Sequence, residues 1–331
     1  YWLAVEHKEA QCWKEAADAL VKLAKECPQE HHLRAAISFH AGDALLRIDK
    51  LEDAAEQFEA VLALPKAGNH WADDAARAMV QVALLSKDHD ELELHATAFS
   101  KQFAGDPLLA DVENMRARSL IERKKFEKAL EILASSQDGN TKGLENSYLI
   151  ALSHQGLKQH KRTLAAIRPV VADAEGKLKH DAMFVKASAL VGLKRFEEAI
   201  KPLETYLHSI KSGAYSAKTE DQIRALGQLA ICHIRSGNLT EAKKCHGELI
   251  DNHVDHELYA KTVAELAENA LSNDNYEWSA DLFAWLVDES GREEFEIMGL
   301  NGLGWSRLES KQYELANAAF ERLLLKNPEP K

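Results

Sequence analysis

Zinc chemistry needs histidine, cysteine or carboxylate side chains converging on one point, and the chain has material for it in 15 histidines and 4 cysteines. The densest group is Cys245, His246, His253 and His256. Its spacing fails as a ligand set, because His246 falls in a packing column derived below and the others fall in or beside a connecting loop. His31 and His32 read as an exposed helix start. Cys12, Cys27, Cys232 and Cys245 are too sparse for a disulfide framework and form no CxxC pair, so they read as ordinary buried or half-buried thiols. No HExxH, GxSxG, GxGxxG or GxxxxGK[ST] pattern occurs. The sequence therefore nominates no catalytic residue, no metal ligand and no cofactor, and an enzyme is not expected.

Charge narrows the possible partners. A formal net charge of -12 argues against nucleic acid, whose phosphates must be met by Lys and Arg that replace condensed counterions. Residues 253–296 carry twelve Asp and Glu against Lys261 and Arg292, whereas 116–128 is basic through Arg116, Arg118, Arg123, Lys124, Lys125 and Lys128. Such polarity orients a protein partner better than it grips a polyanion.

The elements that would position these residues are helices. Only 7 Pro occur, Ala, Leu, Glu and Lys dominate, and no run of eighteen residues is free of charge, so a water-soluble chain without a membrane span is expected. The chain opens Tyr1-Trp2-Leu3 with no targeting signal, and it reads as a segment of a larger protein with more repeats or other domains.

Two windows align without gaps 36 residues apart: Tyr148-Leu-Ile-Ala-Leu-Ser-His-Gln-Gly-Leu-Lys158 and Phe184-Val-Lys-Ala-Ser-Ala-Leu-Val-Gly-Leu-Lys194. A second amphipathic stretch follows each, so the repeat is a pair of helices. Extending the register gives a first-helix column of Ala4, Gly42, Val80, Ala117, Ala151, Ala187, Ala230, Ala267 and Gly304. Nine residues on stand Trp13, Leu51, His89, Phe126, His160, Phe196, Leu239, Tyr276 and Tyr313. Three beyond lie Ala16, Ala54, Leu92, Ala129, Thr163, Ala199, Ala242, Ser279 and Ala316. Four beyond again come Leu20, Phe58, Ala96, Leu133, Ile167, Leu203, His246, Phe283 and Phe320. Helices joined by a short turn approach closely only where small side chains meet, and large ones fill the space beside them. The steps of 34 to 43 residues mark a diverged natural array, and the longest contains the extended loop or hinge expected at 208–219. Asp106-Pro107, Asp49-Lys-Leu-Glu52, Asp88-His-Asp-Glu91 and Asn238-Leu-Thr-Glu241 read as helix starts with capping residues.

These columns resemble the tetratricopeptide repeat, best in the last repeat with Leu303-Gly304-Trp305, Tyr313, Ala316, Phe320, Leu323 and Pro328. The third repeat departs through Val80 and Leu92, the fifth through His160 and Thr163. The resemblance implies an all-α, right-handed superhelical solenoid of about nine antiparallel helix hairpins, a single array over 1–331. It further implies a concave groove lined by first-helix residues. By register these are Phe39, Asp43 and Arg47 in the second repeat, Arg77 and Gln81 in the third, Asn114 and Arg118 in the fourth, and Tyr148 in the fifth. Phe184, Arg224, Arg235, Asn301 and Trp305 continue the set. Arg and aromatic residues are the types enriched at binding hot spots.

The function expected is that of a protein-interaction scaffold that binds a peptide or partner protein of unknown identity along this groove. The alternatives are a pentatricopeptide-like nucleic-acid-binding array, disfavoured by the acidic balance, and the regulatory arm of an enzyme outside this segment. The Lys and Asn arrangement by which chaperone-binding members grip a terminal carboxylate is not reproduced. Irregular repeats longer than the signature resemble arrays of bacterial envelope assembly and trafficking proteins. That likeness favours a periplasmic over a cytoplasmic setting, although no residue fixes the compartment.

Overall fold

The structure is a computed structural model that describes residues 12–65, 69–135 and 143–326. Among the described residues there are seventeen α-helices and no strand. The chain divides into two compact units, Tyr1–Leu157 and Lys158–Lys331. The N-terminal unit contains α1 (Trp13–Glu26), α2 (Arg34–Arg47), α3 (Leu51–Leu62), α4 (Ala72–Leu85), α5 (His89–Gln102), α6 (Leu109–Glu122), α7 (Phe126–Ser135) and α8 (Leu144–Gly156). The C-terminal unit contains α9 (His160–Asp173), α10 (Gly176–Gly192), α11 (Phe196–Lys211), α12 (Thr219–Arg235), α13 (Leu239–His253), α14 (Leu258–Leu271), α15 (Tyr276–Asp288), α16 (Glu293–Glu309) and α17 (Tyr313–Lys326). Within each unit, consecutive helices pack on one another, except that α13 and α14 approach only weakly, and each first helix also touches the first helix of the next hairpin. Ala4 and Pro328 lie outside the described residues.

The bulky column marks where second helices begin: α1, α3, α5, α7, α9, α11, α13, α15 and α17 all start on it. Every described member of the small column is buried. Gly42 and Gly304 show why. A methyl group added at Gly42 would stand 2.6 Å from the Phe58 ring, and one at Gly304 would stand 2.4 Å from Phe320.

The third repeat is a regular hairpin, with α4 packed on α5. Its large Val80 and Leu92 are both buried, and Ala96 sits where the other repeats carry Leu, Ile, Phe or His, so volume is exchanged rather than added. In the fifth repeat Thr163 is buried, and its hydroxyl donates to the Gln159 carbonyl at 3.3 Å. His160 fills the space beside Gly192 that an aromatic ring would take.

Seven residues after the small column the backbone turns left-handed at each of eight connections: Asp49, Lys87, Lys124, Lys158, Lys194, Gly237, Asp274 and Lys311. In seven of these turns the next amide donates back to a carbonyl five residues earlier, as Lys50 does to Leu45 and Arg195 to Leu190, at 2.8–3.0 Å. This closure satisfies the carbonyls that a helix end leaves orphaned. It also corrects the capping expectation at Asp49, which occupies the turn itself, while α3 starts after Lys50 without a side-chain cap. Asn238 precedes α13 without a side-chain cap either. Asp88 does cap α5, accepting from the amides of Asp90 and Glu91 at 3.2 and 3.0 Å. The Asp106 carboxylate accepts from the Leu108 amide at 2.7 Å, just ahead of α6.

Candidate functional site

Side chains at the first-helix face can project outward because Ala or Gly opposite them absorbs the close contact. In the N-terminal unit the nominated residues stand on α2, α4, α6 and α8, and much of their chemistry is already engaged. Arg77 on α4 donates to Asp111 on α6 and, at 2.9 Å, to Gln81 one turn along its own helix. Arg118 on α6 pairs with Glu145 on α8. Arg47 lies 5.3 Å over the Trp13 ring and 3.9 Å from Asp43. Phe39 stacks on Trp71 with centroids 4.7 Å apart, which makes it a half-buried packing residue. Tyr148 is half-buried against the cluster around Leu133 and Leu149. Asn114 is half-buried, and its amide oxygen has no hydrogen-bond partner among the described residues.

The C-terminal unit repeats the arrangement on α10, α12, α14 and α16. Ser188 on α10 donates to Gln228 on α12 at 3.0 Å, and Arg235 on α12 donates to Asn269 on α14 at 2.8 Å. Arg235 also lies 5.9 Å over the Phe196 ring. Arg224 is exposed and 3.6 Å from Asp221, whose carboxyl is pushed up, first by burial, against the opposing pull of Arg224. Burial also raises the Glu265 carboxyl on α14, with Lys261 opposing it. Phe184 stacks on Tyr206 at 5.1 Å and belongs to the margin of the core. Asn301 is exposed, and Trp305 one turn later is 48 % exposed, with its ring in a T-shaped contact with Phe320 at 5.8 Å between centroids.

Adjacent first helices are thus laced by polar pairs along an open seam, and Trp305 is the aromatic most open to solvent among those nominated. The residues that spacing alone did not single out are the partners: Asp111, Glu145, Gln228 and Asn269. Asp111 and Glu145 both stand six residues before the small column, so an acid at that place in the repeat after an Arg was the available signal. Among the described residues no group of His, Cys, Asp and Glu is arranged to hold a metal ion, and no helix is long and apolar enough to cross a membrane. His246 is instead half-buried and within 3.1 Å of the Tyr259 hydroxyl.

Hairpins of two helices with small-residue contacts and open first-helix faces define a helical-repeat protein, a class that typically serves as a non-catalytic scaffold. The profile described as Tetratricopeptide repeat matches residues 302–330, in the last of these hairpins. A tetratricopeptide repeat protein from Parabacteroides merdae has the same fold, with a TM-score of 0.53 at 14 % identity over 77 % of this chain and 93 % of that one. Two further solved structures are more distant. A Rap protein complexed with competence and sporulation factor gives a TM-score of 0.48 at 12 % identity, covering 90 % of this chain and 98 % of that one. The P58(IPK) TPR domain gives 0.31 at 15 %, covering 94 % and 97 %. Comparison with curated proteins gives no match.

Proposed function

We propose that this chain is a non-catalytic protein-interaction scaffold, and that a peptide or partner helix lies along its first-helix faces. The observation that carries this reading is the exposed pair Asn301 and Trp305 on α16. A large ring is left 48 % open in a register whose other aromatics are packed away. Flat rings gain much contact for little lost entropy, which makes such a residue a natural anchor. Arg224 and Arg235 on α12 offer forked donors on the same side of the repeat register.

Arg77 and Arg118 fit a different role from that of free cations. Each already holds an internal carboxylate, so a partner's acid must displace Asp111 or Glu145. The continuous repeat register supports treating 1–331 as one interaction module, and the acidic excess over 253–296 favours a partner segment that is basic where it meets the late repeats. A bacterial envelope setting belongs to this proposal and is tested by cell fractionation of the native host.

The experiment compares a captured partner's affinity for Trp305→Ala, Arg118→Ala and the control Lys201→Ala. Losing the Trp305 anchor weakens binding about thirtyfold, which corresponds to about 2 kcal/mol, and Arg118→Ala, where a partner's acid only replaces Glu145, weakens it by a smaller factor. If Lys201→Ala weakens binding as much as the two face substitutions, the first-helix face is not the site.

A further inference from the structure

We infer that the C-terminal unit carries a second recognition site, away from the first-helix face, shaped for an apolar side chain flanked by a carboxylate, as found in an acidic–apolar peptide. A cavity of about 270 Å³ opens between α9, α10 and α11. Ile167 and Leu190 form its buried floor, with Leu164 and Val171 half-buried beside them. Its rim is charged: Arg168 from α9, Lys186 from α10, Arg195 just ahead of α11 and Glu198 within it. Lys186 stands two residues from both Phe184 and Ser188, about 200° around α10, so the cavity and the first-helix face use opposite sides of that helix.

One residue before the small column, other repeats carry Ala41, Met79, Ile150, Leu229, Leu266 and Leu303. Only Arg116 and Lys186 put a cation there. Arg116 is answered internally. It donates to Glu93 on α5 at 2.8 Å and lies 3.7 Å from Glu113 on its own helix. By register, Glu93 corresponds to Leu164 and Glu113 to Met183. Lys186 therefore meets carbon where Arg116 meets carboxylates.

The one acid at the rim is committed elsewhere, since Arg195 donates to both oxygens of Glu198 at 2.6 Å. Neither Arg168 nor Lys186 forms an ion pair or side-chain hydrogen bond among the described residues. Lys186 adds only a minor pull on the Glu198 carboxyl, which Arg195 already holds, so the rim keeps an excess of positive charge over an apolar floor and asks for a ligand that is apolar inside and anionic at the edge. The volume suits one or two side chains rather than a cofactor, whose pockets run from about 300 to 1,000 Å³.

The test selects a short random-peptide library against the whole chain and measures the affinity of the enriched peptides. Peptides with Leu, Ile, Met or Phe beside Asp or Glu are expected, with affinity falling tenfold or more in Lys186→Leu and in Lys186→Glu. Lys186→Leu installs the residue that four other repeats carry at this position, Leu3, Leu229, Leu266 and Leu303, and its melting curve reports that it folds. Trp305→Ala should leave these peptides bound. Selection without an acidic–apolar consensus, or binding indifferent to Lys186→Leu, overturns the site. Peptides lost with Trp305→Ala but kept by Lys186→Leu would overturn it too, while leaving the first-helix proposal standing.

Discussion

The same substitution, Gly→Ala, should have opposite signs at two helical positions of the C-terminal unit. At Gly247 in α13 an added methyl group meets nothing within 4 Å, so only backbone entropy and helix propensity change. Gly247→Ala is expected to stabilise by about 1 kcal/mol. At Gly302 in α16 the methyl carbon would stand 2.3–2.4 Å from three atoms of the Phe283 ring, and that ring is only 2 % exposed. The propensity gain of about 1 kcal/mol remains, but overpacking of a closed core opposes it with roughly 1–3 kcal/mol. The net expectation is destabilisation by about 1 kcal/mol. For a unit of this size each kcal/mol moves the thermal midpoint by about 2–4 °C, so the two variants should move it in opposite directions. Circular dichroism melts and urea titrations read both. Adding Phe283→Leu to Gly302→Ala should recover part of the loss, with a coupling of about 1 kcal/mol in the double-mutant cycle. If Gly302→Ala stabilises as much as Gly247→Ala, or the cycle shows no coupling, α15 and α16 do not meet through the small-residue contact and the register is wrong.

Acid should weaken the fold before carboxylates titrate. Burial is the first cause lowering His246, His233 and His253 from their usual 6.5, so the unfolded chain takes up those protons first. Stability is then full above that value and falls as pH drops through it. His246→Phe, the ring type carried in that column by Phe58 and Phe283, should flatten the profile, and an unchanged urea midpoint between about pH 7 and 5.5 would refute the assignment. Replacing the left-handed Lys194 by Gly removes a strain of about 1–2 kcal/mol, partly offset by the unfolded chain's added freedom. A net gain of about 0.5–1 kcal/mol is expected, read as a higher urea midpoint, whereas Gly237→Ala should lower it. At near-physiological salt, RNA and DNA should bind no more than feebly in a fluorescence anisotropy titration, and a sub-micromolar, sequence-selective complex would contradict the argument from charge.

The hairpins were legible because close helix approach leaves a record in side-chain size: the bulky column falls on the first residue of all nine second helices. The turns were less so. A left-handed residue usually announces itself as Gly or Asn, but here five of the eight are Lys and two are Asp, which is why Asp49 read as a cap. The site was legible as a set of positions and not as a set of states. Arg77 and Asp111 stand 34 residues apart, and nothing in either residue type shows that they meet. Phe39 and Phe184 read as open anchors because their register faces outward. Trp71 and Tyr206 stack on them, and only the packing of neighbouring elements shows this.

The seam pairs bear on how any ligand of the first-helix faces would respond to salt. Where a face presents bare cations, an anionic ligand gains affinity as ionic strength falls, because it cancels charge that was otherwise only hydrated. Arg77 and Arg118 already sit against Asp111 and Glu145. A partner's carboxylate arriving there swaps one anion for another, and the displaced side chain returns to water still charged. Such an exchange is nearly neutral, since exposed pairs contribute only about 0–1 kcal/mol. Affinity at these two positions would then depend little on salt, and discrimination between acidic ligands would come from how well each fork geometry is matched.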